Sequence, residues 1–319
     1  MSQDFQPIDA TEHPRFTQPA TFMRLPHVPP GHPLFGQVQL GLFGVPFDLG
    51  TTNRPGARHG PRQVRDFSTL IRRAHRIHRM YPFARANCAD LGDSPVNPAD
   101  IEDSLAKIEG FVAGLATRGI VPLAVGGDHL VSLPVLRVLG KGRPLGMVHI
   151  DSHSDTWDSY FGGFKLMHGT PFRRAIEEGL LDPKRIVQIG IRGSVYDLAD
   201  EDWAQAQGIR LLHIEDCWRM GEAALIAEAR RVVGDGPCYL SFDIDAIDPA
   251  FAPGTGTPEI GGFTPAEAQR LLRGLMGLRF VGADLVEVSP PFDQAGGTAM
   301  VAANLLFEIL CLLVGAMPG

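Results

Sequence analysis

Eight short apolar runs punctuate this chain of 319 residues, at 38–44, 86–90, 120–126, 145–151, 185–192, 209–213, 237–243 and 279–288, and most end in Gly or Asp. Runs this short and this apolar read as strands buried on both faces. Between many of them lie stretches with apolar spacing near 3.6, at 101–118, 220–233, 264–276 and 298–313. The first follows Asn97-Pro98, a capping residue and a proline suited to a first helical turn. Strands alternating with helices predict an α/β fold with a mostly parallel eight-stranded sheet covered on both faces. A TIM barrel has the same element count. It ranks second, because the long loops after the strands suit an open sheet with its site beyond the strand carboxyl ends.

Residues 1–35 are rich in Pro and His and lack periodicity, so they read as an extended arm lying on the body or on a neighbouring subunit. With no repeats and no Gly/Ser linker, residues 36–319 read as one domain. The apolar stretch 301–317 is interrupted by Asn304 and Glu308 and reads as a buried helix, not a bilayer span. A formal charge of −7 argues against a nucleic-acid or membrane-surface binder. The four cysteines (Cys88, Cys217, Cys238 and Cys311) are scattered, and no secretory leader is readable at the start. Both features lead us to expect a cytoplasmic protein with reduced thiols.

Acidic and imidazole residues gather where strands stop. Asp128-His129 follows 123–127, Asp151, His153 and Asp155 follow 146–150, Asp243 and Asp245 follow 238–242, and Glu287 and, further on, Asp293 follow 281–285. In a parallel sheet these ends lie side by side, so the groups should converge. Converging carboxylates repel one another unless a cation lies between them. A set of Asp and His without Cys suits Mn²⁺, Fe²⁺, Co²⁺, Ni²⁺ or Zn²⁺. Six ligands exceed what one catalytic ion needs and suit two ions sharing carboxylates, which would lower the pKa of a bridging water. Alone, GGDH and DxD are usually turn or cap residues, while DxHxD points more often to metal; three such clusters at three strand ends are hard to read as independent caps. His149 sits inside its run and reads as a hydrogen-bonded core histidine. His13, His27, His32, His59, His75, His78 and His213 lack ligand spacing and read as structural or surface residues.

GGDH at 126–129, DSHSD at 151–155, HGT at 168–170, SFDIDAIDPAFAPGTGTPEIGG at 241–262 and DLVEVSPPFD at 284–293 resemble the arginase/agmatinase (ureohydrolase) family. The RLPHV, TTNRPGARHGPR and FRRAIEEGLLDP segments look closest to its guanidino-acid branch, guanidinopropionase and guanidinobutyrase. The resemblance implies a three-layer α/β/α sandwich, two divalent ions (usually Mn²⁺, with Ni²⁺ the alternative) and hydrolysis of a guanidino C–N bond with release of urea. It implies a small cationic guanidino substrate and a homo-oligomer, trimer or hexamer; a hetero-oligomer with a related subunit is the variant arrangement. It places His129, Asp151, Asp155 and Asp243 on one ion and Asp151, His153, Asp243 and Asp245 on the other. His168 matches a proton shuttle, Glu287 the partner of the guanidinium, and Asp155 a proton donor to the leaving amine.

The chain departs from the family at Trp157, where arginase and many relatives carry an asparagine facing the polar end of the substrate. The loop goes on through Tyr160, Phe161, Phe164, Leu166 and Met167 toward His168. If this loop lines the pocket, the substrate has a small alkyl part in place of an amino-acid head. A guanidino acid such as 3-guanidinopropionate or 4-guanidinobutyrate would then need a carboxylate donor: Tyr160, Lys165 or an arginine of loop 54–62. The alternatives are an N-alkylated guanidine or biguanide such as metformin, and a non-catalytic partner subunit.

Overall fold

The computed structural model describes residues 3–317. Eight strands, β1 (Leu40–Val45), β2 (Cys88–Asp93), β3 (Val121–Gly126), β4 (Leu145–Ile150), β5 (Leu181–Ile191), β6 (Arg210–His213), β7 (Cys238–Asp243) and β8 (Phe280–Val286), form one sheet in the order β2-β1-β3-β8-β7-β4-β5-β6. Every pairing is parallel. The sheet is open, with β2 and β6 at its edges, which excludes the barrel. The helices are α1 (Gly60–Ser68), α2 (Ile101–Ala116), α3 (Ser132–Leu139), α4 (Pro171–Glu177), α5 (Asp202–Gln207), α6 (Ile214–Met220), α7 (Glu222–Val233), α8 (Pro265–Gly274) and α9 (Gly297–Ala316).

Strand side chains alternate between two cores. In β7, Leu240 and Phe242 enter the core under α1 and α7–α9, and Tyr239 enters the one under α2–α5. The result is a three-layer α/β/α sandwich. Helix α9 is long and apolar enough to cross a bilayer, but most of it is buried against α1, α8 and β8. In the arm, Phe5, Phe22, Met23 and Val28 are buried on the body, and the chain at His27 pairs with Asp90 at the β2 edge.

Two local expectations need correction. The cap of α2 is Asp100, whose carboxylate accepts from Asp103 N–H; Asn97 instead shapes the preceding turn, accepting from Ala99 N–H. The stretch 220–233 is not one helix: Gly221, at φ 75°, separates α6 from α7.

Candidate metal centre and cavity

The four central strands β3, β8, β7 and β4 are neighbours, and each delivers part of the cluster at its carboxyl end. Past β3 the backbone of Gly127 lies against Phe47, where a Cβ would come within 1.6 Å of the Phe47 carbonyl oxygen. Only glycine lets the chain pass so closely before Asp128 and His129. Glu287 (φ 65°) and Asp155 (φ 51°) take left-handed backbone conformations at their turns.

The aspartates cap turns and face the cluster at once. Asp243 Oδ1 accepts from Asp245 N–H (2.8 Å), Asp151 Oδ1 from His153 N–H (2.6 Å), and Asp245 Oδ1 from Ser152 N–H and Oγ–H (3.1 and 2.7 Å). The opposite oxygens turn inward. Oδ2 of Asp151, Asp155 and Asp243 lie 3.1, 2.9 and 3.1 Å from His129 Nδ1. Asp245 Oδ2 lies 3.1 Å from His153 Nδ1, with Asp151 Oδ1 at 3.6 Å. All six expected ligands are therefore gathered, with Asp151 standing between the two imidazoles.

A row of polar residues in register lies beneath them: Gln188 of β5 faces His149 of β4, which faces Ser241 of β7, which faces Asp284 of β8. Ser241 Oγ–H donates to Asp284 Oδ1 (2.6 Å), so it accepts from His129 Nε2 (2.7 Å). His129 is thereby held with its proton on Nε2 and a lone pair on Nδ1, toward three carboxylates. Nδ1 has no hydrogen-bond partner, and neither has Asp245 Oδ2. A buried lone pair facing buried carboxylate oxygens is repulsive without a cation among them, so the donor set fits divalent metal. Gln188 Nε2–H donates to His149 Nδ1 (3.0 Å), which leaves His149 Nε2–H to bind Asp151 Oδ2 (2.7 Å). His149 is the hydrogen-bonded core histidine the sequence indicated. Ser241, Asp284 and Gln188 were missed, although each is a polar residue inside an apolar run.

The charges strain against one another. Burial, then repulsion from neighbouring carboxylates, raises Asp243 and Asp245 above the usual carboxylate range. Burial would raise Asp151 too, but His149, His129 and His153 hold it well below that range. For His129 and His153 burial favours the neutral ring, and the surrounding carboxylates override it and raise both, so a proton competes with a metal ion for the ring nitrogens that face them. Asp128, buried and close to Glu287, is pushed up to about 8.

A cavity of about 640 Å³ opens over the cluster, lined by His153, Asp155, Asp243, His168 and Glu287 and walled by Trp157, Tyr160 and Tyr196. Glu287 Oε1 accepts from His129 N–H (2.9 Å) and from His168 Nδ1 (2.9 Å), while Oε2 is buried and unpartnered. One carboxylate oxygen, not both, is thus unclaimed for a substrate. His168 Nε2 lies 3.2 Å from Thr52 N and 2.7 Å from Thr52 Oγ1, which can accept from the protonated ring. Burial pulls the His168 ring toward neutrality, but Glu287 and Asp128 outweigh it and bring its pKa to about 9.

Only part of the 157–168 loop faces this cavity. Trp157 and Tyr160 line it, their rings 5.8 Å apart, and the Trp157 ring meets Tyr196 edge-on at 5.3 Å. Phe161, Phe164 and Lys165 are exposed outside it, Leu166 packs on the α2–α5 core and Met167 is buried. Lys165 is thereby removed as a carboxylate donor: the backbone turn closed by Tyr160 and Phe164 swings it outward. His213, read from the sequence as structural or surface, lies on the cavity wall and pairs with Glu201 (3.0 Å). His75 bonds Glu308 (2.7 Å), which Arg273 also holds, in a separate buried network.

Residues 38–312 match the model of the arginase family. Guanidinopropionase of Pseudomonas aeruginosa is 60% identical over 314 residues, 98% of each chain, and guanidinobutyrase of the same organism is 47% identical over 313 residues, again 98% of each. The solved structure of proclavaminate amidino hydrolase from Streptomyces clavuligerus superposes with a TM-score of 0.89 at 39% identity, covering 95% of this chain and all of that one. The chain belongs to the arginase family, as a metal-dependent ureohydrolase acting on the C–N bonds of linear amidines.

Proposed function

We propose that this protein hydrolyses a small guanidino acid, such as 3-guanidinopropionate or 4-guanidinobutyrate, to urea and the corresponding amine. Two divalent ions, Mn²⁺ or alternatively Ni²⁺, would be held by His129, Asp151, Asp155 and Asp243 and by Asp151, His153, Asp243 and Asp245. The observation that carries the reading is Glu287 Oε2, a buried carboxylate oxygen without a partner in the same cavity as the cluster. Such an oxygen calls for a cationic N–H donor, and a guanidinium supplies one. The similarity to guanidinopropionase and guanidinobutyrase supports an acid with a short chain.

When bound, the ions lower the pKa of water and stabilise charge developing at the guanidino carbon. The chain's own groups do the rest. Glu287 fixes the guanidinium plane through Oε2, while Oε1 stays anchored on His129 N–H. His168, charged at neutral pH beside Glu287, holds a proton at the cavity wall, and Asp155, which lines the same cavity, would pass one to the leaving nitrogen. Overall, water's oxygen ends on urea and both its protons on the departing amine. Trp157 and Tyr160 favour an alkyl linker over a polar amino-acid head. A non-catalytic partner subunit would not need all six ligands, His168 and Glu287 around one cavity.

Urea and amine release should be measured for 3-guanidinopropionate, 4-guanidinobutyrate, agmatine, arginine and metformin, on protein loaded with Mn²⁺ and with Ni²⁺. A guanidino acid should be the best substrate. Arginine as best substrate would overturn the reading, and metformin as best substrate under Ni²⁺ would replace it with the N-alkylguanidine alternative.

A further inference from the structure

Away from the metal ligands the cavity wall is also acidic, with Asp200, Glu201 and Glu259 lining it. A guanidino acid brings its own carboxylate there, so productive binding needs an unclaimed cation. Arg192 lines the cavity but is spent: its donors go to the carbonyls of Gly190, Asp245, Ala246, Glu259 and Ile260. His213 is paired with Glu201, and His168 with Glu287. Arg54 is different. It lines the same cavity, its guanidinium stacks on the Phe292 ring at 5.0 Å, and among the described residues it has no acidic or carbonyl partner.

The backbone keeps Arg54 near the guanidinium end. A point just off Gly256 lies 3.4 Å from Glu287 Oε2 and 3.5 Å from the Arg54 carbonyl oxygen, and Asn53 Nδ2 ties this loop to the Gly256 carbonyl (3.2 Å). One loop therefore sits between the carboxylate that takes a guanidinium and an arginine with its donors unclaimed.

We infer that Arg54 is the residue that selects the tail: it binds the distal carboxylate of a guanidino acid and repels the distal ammonium of agmatine. The inference rests on the guanidino-acid reading above and names the group that makes it specific. The Phe292 face positions the planar guanidinium, which suits two-point contact with a carboxylate. The same charge acts against a cationic tail, so discrimination comes from attraction and repulsion together.

The test compares 4-guanidinobutyrate with agmatine, close in length and opposite in tail charge, using metal-loaded wild type, Arg54→Gln and Arg54→Lys. For Arg54→Gln, KM for the acid should rise about tenfold to a hundredfold, the range a charge-assisted pair supports, with kcat changing much less. Agmatine kcat/KM should rise. Arg54→Lys should fall between, keeping charge and losing the fork. Butyrate should inhibit wild type competitively and Arg54→Gln more weakly. Parallel losses on both substrates would show that Arg54 only holds the loop, and an unchanged acid KM would show that the carboxylate binds elsewhere; either overturns the inference. Should wild type release no urea from any guanidino acid, the functional reading itself fails, before any variant is made.

Discussion

Replacing Ser241 with alanine tests whether the cluster depends on the polar row beneath it. The hydroxyl lies 2.6 Å from Asp284 Oδ1, to which it donates, and 2.7 Å from His129 Nε2, from which it accepts. Asp284 is also held at Oδ2 by Ser132 and Tyr239 (2.6 and 2.7 Å), so it stays in place when Oγ is lost. The variant then leaves His129 Nε2–H buried and unpaired, a cost of about 1–3 kcal/mol. Freed of its tautomer constraint, the imidazole can put its proton on Nδ1 against the three carboxylates, a form that cannot bind metal. Partners that orient a metal-binding histidine in this way are typically worth about 10–100-fold in affinity. Calorimetric titration of Mn²⁺ into chelator-stripped Ser241→Ala should show a loss in that range, about 1.4–2.8 kcal/mol. Ser132→Ala is the control, since it removes a hydrogen bond from Asp284 without touching His129. It should lower the melting temperature and leave Mn²⁺ affinity nearly intact. Equal affinities in Ser241→Ala and wild type, or equal losses in both variants, would refute the tautomer argument.

Asp243→Ala removes a carboxylate 3.1 Å from His129 Nδ1 and should abolish activity and lower metal content by elemental analysis together; wild-type turnover would exclude the site. Trp157→Asn puts an amide on the cavity wall and should shift the substrate ranking toward polar tails, whereas an unchanged ranking would place the indole outside substrate contact. His168 is raised from 6.5 to about 9, so its contribution to stability is complete below about 6.5 and is lost as pH climbs through about 9. If His168 must carry its proton, kcat/KM should decline over the same upper limb, and Glu287→Gln should move titration of the ring, followed by NMR, toward lower pH. Glu308→Ala strips Arg273 and His75 of their shared carboxylate at a site 4% exposed. The loss should be about 3 kcal/mol in chemical denaturation, the low end for a broken buried pair because Arg273 keeps 25% of its side chain exposed, with metal affinity unchanged.

The sheet was legible because its central strands are buried on both faces and even the edge strands β2 and β6 keep short buried runs, so most strands appear as continuous apolar stretches. The exception is the start of β5: it begins at Leu181, but Pro183 and its charged neighbours hide the first residues behind a turn signal. The six ligands were legible because Asp and His stood together at strand ends. Their partners were not. Ser241 and Asp284 are ordinary polar residues whose meaning appears only when strands distant in sequence lie side by side in register. The direction of Lys165 and the claims already made on Glu287 Oε1 are likewise three-dimensional facts. One follows from a tight turn, the other from a backbone N–H that happens to point at the carboxylate.

Register links fold and chemistry here. Along β7, Tyr239 and Ser241 point toward the α2–α5 layer and both bond Asp284, while Leu240 and Phe242 fill the opposite core. A slip of one residue between β7 and β8 would reverse those faces. Two hydroxyls would enter an apolar core unpaired, at about 1–3 kcal/mol each, and Asp284 would lose two of its three donors. The same pairing that satisfies the hydrophobic pattern therefore aims His129 at the carboxylates. A chain carrying the strand-end motifs over an all-apolar row would still build the sheet, but its imidazoles would have no enforced tautomer. The motifs supply ligand atoms, and the row beneath supplies their direction.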